Sequence, residues 1–185
     1  KIGTLNANGD FEINLSVNPT EKLSEEEGEL YISNLSYGFQ YVCGNPGDFP
    51  EGEAKIASSA QHIALWADNT WAGVLFPVSD LKLQLWMEDN GFNDAVEGSF
   101  YQVLLVTEDV NLQKKCTNFD YYNDEDIEVN VEYDLKLKKG LNLIAYQLES
   151  VYKTNPDIRA SFPKKIRMTN AGDNPKIMWI AKYFF

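Results

Sequence analysis

One histidine, His62, serves the whole 185-residue chain. A Ser-His-Asp or Cys-His system needs an imidazole base. That scarcity, with no GxSxG elbow anywhere, argues against triad chemistry. His62 sits between Gln61 and Ile63 and reads as a packed or surface residue. The only cysteines, Cys43 and Cys116, belong to no CxxC or Cys/His cluster, which removes the usual case for structural zinc. Sequence alone leaves them either as one disulfide in an oxidising compartment or as two reduced, half-buried thiols. Neither GxxxxGK[ST] nor GxGxxG occurs, so no phosphate cradle is expected, and the glycines fall at turns. No window approaches the roughly 20 apolar residues of a membrane-crossing helix. The chain opens on Lys1 without the segments of a signal peptide, as expected of a mature or trimmed form. Cations are also in the minority: 16 Lys and Arg stand against 28 Asp and Glu, a net charge of -12. Such a field repels phosphate backbones and anionic headgroups, and nucleic acid is excluded as an expected partner.

What the chain does have is apolar residues at 44%, aromatics at 13%, and a period of two. Phe11, Ile13, Leu15 and Val17 alternate with polar residues after Asn8-Gly9, which predicts a hairpin with Ile2 to Leu5. Leu35, Tyr37, Phe39, Tyr41 and Cys43 share one face of a predicted half-buried strand. Residues 53–66 fit helix and strand spacing equally. Leu81, Leu83, Leu85 and Met87 alternate as a strand, and Phe100 to Thr107 is a nearly continuous apolar run. The longest alternation is Ile127, Val129, Val131, Tyr133, Leu135 and Leu137, with Leu141 to Leu148 expected to return as its antiparallel partner. Lys165 to Met168 and Lys176 to Phe185 close the chain. Some nine to eleven strands, short turns and no interleaved helices predict one all-β domain over residues 1–185. The expected fold is an antiparallel two-sheet β-sandwich, immunoglobulin-like or jelly-roll-like.

Two acidic clusters supply the hard oxygens that calcium takes: Asp120, Asn123, Asp124, Glu125 and Asp126, and Asp89, Asn93 and Asp94. Neither has the spacing of an EF-hand loop, and both read as solvated turns. No metal or cofactor is expected. Paired carboxylates for glycoside hydrolysis carry no information when 28 acidic residues are available. Among the four tryptophans, Trp71 follows Asp68-Asn69-Thr70 in a predicted loop, and Trp86 falls on the Lys82 and Gln84 face of its predicted strand. These two are the candidate ligand-binding residues, as flat apolar plates with a hydrogen-bonding edge.

The stretches Leu5-Asn6-Ala7-Asn8-Gly9-Asp10-Phe11-Glu12-Ile13-Asn14-Leu15 and Tyr133-Asp134-Leu135-Lys136-Leu137-Lys138-Lys139-Gly140-Leu141-Asn142-Leu143-Ile144 resemble segments of uncharacterised exported lipoproteins of Bacteroidetes. Leu141 stands where their pattern has tryptophan. The resemblance implies a secreted or lipid-anchored β-sandwich, periplasmic, outer-membrane-anchored or at the cell surface, with the anchoring cysteine upstream of Lys1. It transfers no catalytic residue. The expectation is therefore a non-enzymatic domain that binds or scaffolds a protein or glycan partner, with a carbohydrate-binding module as the alternative.

Overall fold

A computed structural model describes residues 2–15, 24, 26, 33–44, 55–60, 62–90, 93–122, 125–152, 162–172 and 176–184. The acidic loop at Glu25 to Gly28 and the Pro/Gly-rich segment after Gly44 lie largely outside them. The described residues are mostly strand: β1 (Gly3–Leu5), β2 (Phe11–Ile13), β3 (Ser33–Asn34), β4 (Lys55–Ala60), β5 (Ile63–Ala67), β6 (Thr70–Val78), β7 (Gly98–Val106), β8 (Val110–Tyr122), β9 (Glu125–Leu137), β10 (Gly140–Tyr152), β11 (Phe162–Asn170) and β12 (Met178–Tyr183), with the α-helix α1 (Leu81–Glu88) between β6 and β7, an all-β chain. The ambiguous segment 53–66 resolves into the strands β4 and β5.

The hairpin β1–β2 forms as the Asn8-Gly9 signal predicts, but the dipeptide sits inside a five-residue loop. There the Asn6 carboxamide oxygen accepts from the N–H groups of Asn8 and Asp10. The remaining strands form one continuous ladder in the order β12-β6-β7-β10-β11-β9-β8, with β4 added to β7, β3 to β4, and β5 to β6. Its buried face carries the residues that the alternation selects. Ile127, Val129, Val131, Tyr133, Leu135 and Leu137 of β9 are all buried, together with Ile144, Tyr146 and Leu148 of β10 and Ile166 and Met168 of β11. The opposite face of these strands is charged, with Glu132 between Lys115 (3.0 Å) and Arg167 (3.9 Å), and Arg167 on Asp134 (3.0 Å). The apolar run of β7 is buried on both faces from Phe100 to Val106, as befits a central strand.

One expected pairing is wrong. β9 and β10 are not hydrogen-bonded neighbours, because β11 lies between them, parallel to β9 and antiparallel to β10. The sheet is therefore mixed. Only Lys138 and Lys139 connect the two splayed strands, so backbone groups near the crossing lack a strand partner, and buried amides tolerate this poorly. Carboxamides substitute for the missing peptide groups. Asn170 Oδ1 accepts from Lys136 N (2.8 Å) while its Nδ2 donates to Lys136 O (3.0 Å). Asn142 closes the same two-bond ring on Lys138, at 2.9 and 2.7 Å.

Two further expectations are corrected. The segment Leu35 to Cys43 is not a strand: Leu35–Gly38 is a 3-10 turn, and the rest is an irregular strap laid across the buried face. The apolar residues that enter the core, Leu35, Phe39 and Cys43, are four apart, and Tyr37 is exposed. A non-strand segment must find partners for its own peptides, and four strands supply them from side chains. Gln102 Nε2 on β7 donates to Gly38 O (2.9 Å), and Gln40 N donates to Tyr146 Oη on β10 (3.2 Å). Tyr133 Oη on β9 donates to Tyr41 O (2.5 Å), and Asn118 Nδ2 on β8 donates to Val42 O (2.7 Å). The strap ends in a disulfide between Cys43 and Cys116 of β8, across a Cα separation of 5.6 Å.

The predicted strand from Leu81 to Met87 is the helix α1. Asp80 caps it by accepting from Lys82 N at 2.8 Å. Leu83 and Trp86, three residues apart, share the face that enters the core, while Leu81 and Leu85 point to solvent.

Candidate functional site

Among the described residues, a group of exposed rings gathers at the tip of the β5–β6 hairpin. Asp68 and Asn69 both have positive φ, 48° and 64°. A two-residue type I′ turn requires this, and Asp and Asn accept it better than other non-glycine residues. The tight turn sets Trp66 directly opposite Trp71 in the register. Directly opposed residues emerge on the same face. A register shift between Leu65 and Trp66 inserts Ala72 as an extra residue on β6. Without that bulge, period-two alternation from buried Val74 would send Trp71 to the face opposite Trp66.

The third ring comes from the end of β12. Gly73 permits the approach, since a Cβ there would lie 2.3 Å from the carbonyl oxygen of Lys182. Pairing continues one residue past the strand, where Phe184 N donates to Ala72 O (3.1 Å). The Phe184 ring meets Trp71 edge-on, centroids 4.7 Å apart. Trp66 is 66% exposed, Trp71 52% and Phe184 48%. Lys182, two residues before Phe184, donates to Glu88 of α1, which also accepts from Gln84 Nε2. The result is a shelf of three rings, with an ion pair at its inner margin and Asp68 and Asn69 at its tip.

Of the two tryptophans that the sequence singled out, only Trp71 stands on this shelf. Trp86 is 3% exposed and packs near Phe100 with centroids 6.2 Å apart. It presents no plate to solvent, because helical spacing places it with Leu83 and not with Lys82. Trp66 and Phe184 were not singled out. A signal for Trp66 was present, since Trp66-Ala67-Asp68-Asn69-Thr70-Trp71 is symmetric about its turn dipeptide. Phe184 carried none, because nothing local says that β12 lies beside β6.

The other candidates fall elsewhere. The exposed His62 ring lies 5.8 Å from that of Phe76. The carboxamide of Asn93 donates to the carbonyls of Leu85 and Asp89, both at 3.0 Å, and so closes the C-terminal end of α1. The cluster from Asp120 to Asp126 lies mostly outside the described side chains. Among the described residues, no three His, Cys, Asp or Glu side chains converge on a point that could hold a metal ion. A shallow depression of about 300 Å³ lies between β8 and β9, lined by Gln113, Lys114, Lys115, Glu132, Tyr133 and Asp134. Its carboxylates are engaged by Lys115 and Arg167. No protein-family model, curated protein or solved structure matches this chain.

Proposed function

We propose that this chain is a non-enzymatic, partner-binding domain of an exported protein, and that Trp66, Trp71 and Phe184 form its contact surface. The observation that carries the reading is the contiguity of three half-exposed rings, two on the β5–β6 hairpin and one from the end of β12 beside it. Apolar surface of this kind, rimmed by polar groups, marks interaction sites. The net charge of -12 directs it away from nucleic acid. The carboxylates Glu88, Asp109, Glu132, Asp134 and Glu149 are each held by a lysine or arginine, which favours binding over acid-base work.

The Cys43–Cys116 bridge supports an extracytoplasmic setting, where disulfides persist. The resemblance to exported lipoproteins, with a lipidated cysteine upstream of Lys1, belongs to the same reading. So does an immunoglobulin-like or jelly-roll-like sandwich, for which the support is one core cluster that joins β6 to β8 and β9.

The test uses immobilised wild-type protein and a Trp66→Ala/Trp71→Ala variant whose circular dichroism is unchanged. Each is exposed to separate glycan and protein fractions of the source envelope. Retention from either fraction that the variant loses supports the reading. Identical behaviour of the two proteins would remove it.

A further inference from the structure

We infer that the partner of this shelf is a neutral polysaccharide of equatorially substituted pyranoses, such as a glucan or xylan. The inference rests on the partner-binding reading above and deepens it. A pyranose with equatorial hydroxyls presents C–H groups on both faces and hydroxyls around its edge. Its binding therefore asks for flat apolar plates with donors and acceptors at their rim. Trp66 and Trp71 are such plates, side by side on one face by register, and the Phe184 ring stands edge-on against Trp71 as a wall beside them. Rim groups stand at both margins: Asp68 and Asn69 at the turn, Lys182 and Glu88 at the helix.

Area separates a sugar from a protein partner. An aromatic side chain carries about 150–250 Å², so three rings at roughly half exposure offer about 300 Å². A stable protein interface takes about 800 Å² from each side. The shelf is small for the second and suited to a few sugar rings.

Charge separates neutral from acidic glycans. The net charge of -12 opposes uronate or sulfate polymers, and Lys182, the cation at the margin, is engaged by Glu88. The plates are also preorganised, since β6 is paired to β5 on one side and β12 on the other, so little ordering entropy is lost on binding.

Affinity electrophoresis through gels containing mixed-linkage β-glucan, xylan or polygalacturonate tests this. Expected is retardation in the glucan or xylan gel, none in polygalacturonate, and at least tenfold weaker retardation for Trp71→Ala. Trp71→Phe, which keeps a ring, should recover most of the effect. Saturating oligosaccharide should shift the tryptophan emission of the wild type to shorter wavelength, and Trp66→Ala/Trp71→Ala should lose that shift while its near-ultraviolet dichroism shows a folded core. No retardation in either neutral gel, or retardation untouched by these substitutions, overturns the glycan assignment. If the same variants lose an envelope protein while every gel is silent, the binding surface stands and the sugar falls. Silence in both experiments removes both.

Discussion

Val131 and Glu132 are adjacent in the chain and opposite in surroundings. Val131 is 1% exposed, and Val131→Asp places a charge among aliphatic neighbours at a cost of about 4 kcal/mol, readable as a drop in the urea midpoint. Alternation alone expects Glu132→Lys to be nearly silent. The ion pairs revise that: a lysine there would sit between Lys115 and Arg167, at about 1 kcal/mol. Equal losses from the two substitutions would mean that the faces are misassigned. Asp109 gives a pH-dependent signature. The Lys138 ammonium, then the Lys139 N–H, hold its carboxyl below the usual carboxylate range. A lowered folded value means that its contribution is complete above the unfolded value of about 4 and fades as pH falls through the folded one. Amide exchange at Lys139 should quicken over that acid range in the wild type, and Asp109→Asn should abolish the pH dependence. A wild-type exchange rate that shows no step there beyond the intrinsic trend would refute it.

At the scale of elements, local pattern was legible and neighbourhood was not. Six alternating apolar residues in β9 identified its buried face correctly, yet β10, the next strand along the chain, pairs with β7 and β11 instead. Alternation says which face is wet, not which strand lies alongside. The substitute pairing at Asn170 follows from that insertion. Asn170→Ala should unprotect the Lys136 N–H and lower stability by about 1–2 kcal/mol, with exchange in the centre of β9 unaltered. Unchanged Lys136 exchange would show that water replaces the carboxamide without loss. In α1, Leu81, Leu83, Leu85 and Met87 suggest a strand only because single residues, Lys82, Gln84 and Trp86, separate them. The helix that forms instead is capped by Asp80 and buries Leu83 and Trp86 on one face. The candidate site was half legible for the same reason: Trp71 beside its turn could be read locally, whereas the bulge at Ala72 lies in the β5–β6 pairing and the arrival of Phe184 depends on β12.

Across the whole molecule, the strap from Leu35 to Cys43 ties four strands together, and the disulfide locks its end to β8. Cys43 and Cys116 are 73 residues apart, and closing a loop of that length removes about 4 kcal/mol of unfolded-state entropy. A Cys43→Ala/Cys116→Ala protein should therefore unfold at a much lower urea concentration than the oxidised wild type. Thiol trapping in freshly lysed source cells should find the pair oxidised. A fully reduced pair would contradict export.

The sequence alone determined the strand-rich class, the buried side of the long strands, the acid excess and the scarcity of histidine and cysteine. These depend on the two-residue repeat of an extended backbone and on composition, both local quantities. Which strands lie side by side, that a tyrosine-rich segment crosses the sheet instead of joining it, that Cys43 meets Cys116 and that three rings share a shelf were decided by tertiary packing. The entropy of closing a loop changes only slowly with its length, so competing partners differ little on that account, and the choice falls to side-chain fit among residues far apart in the chain.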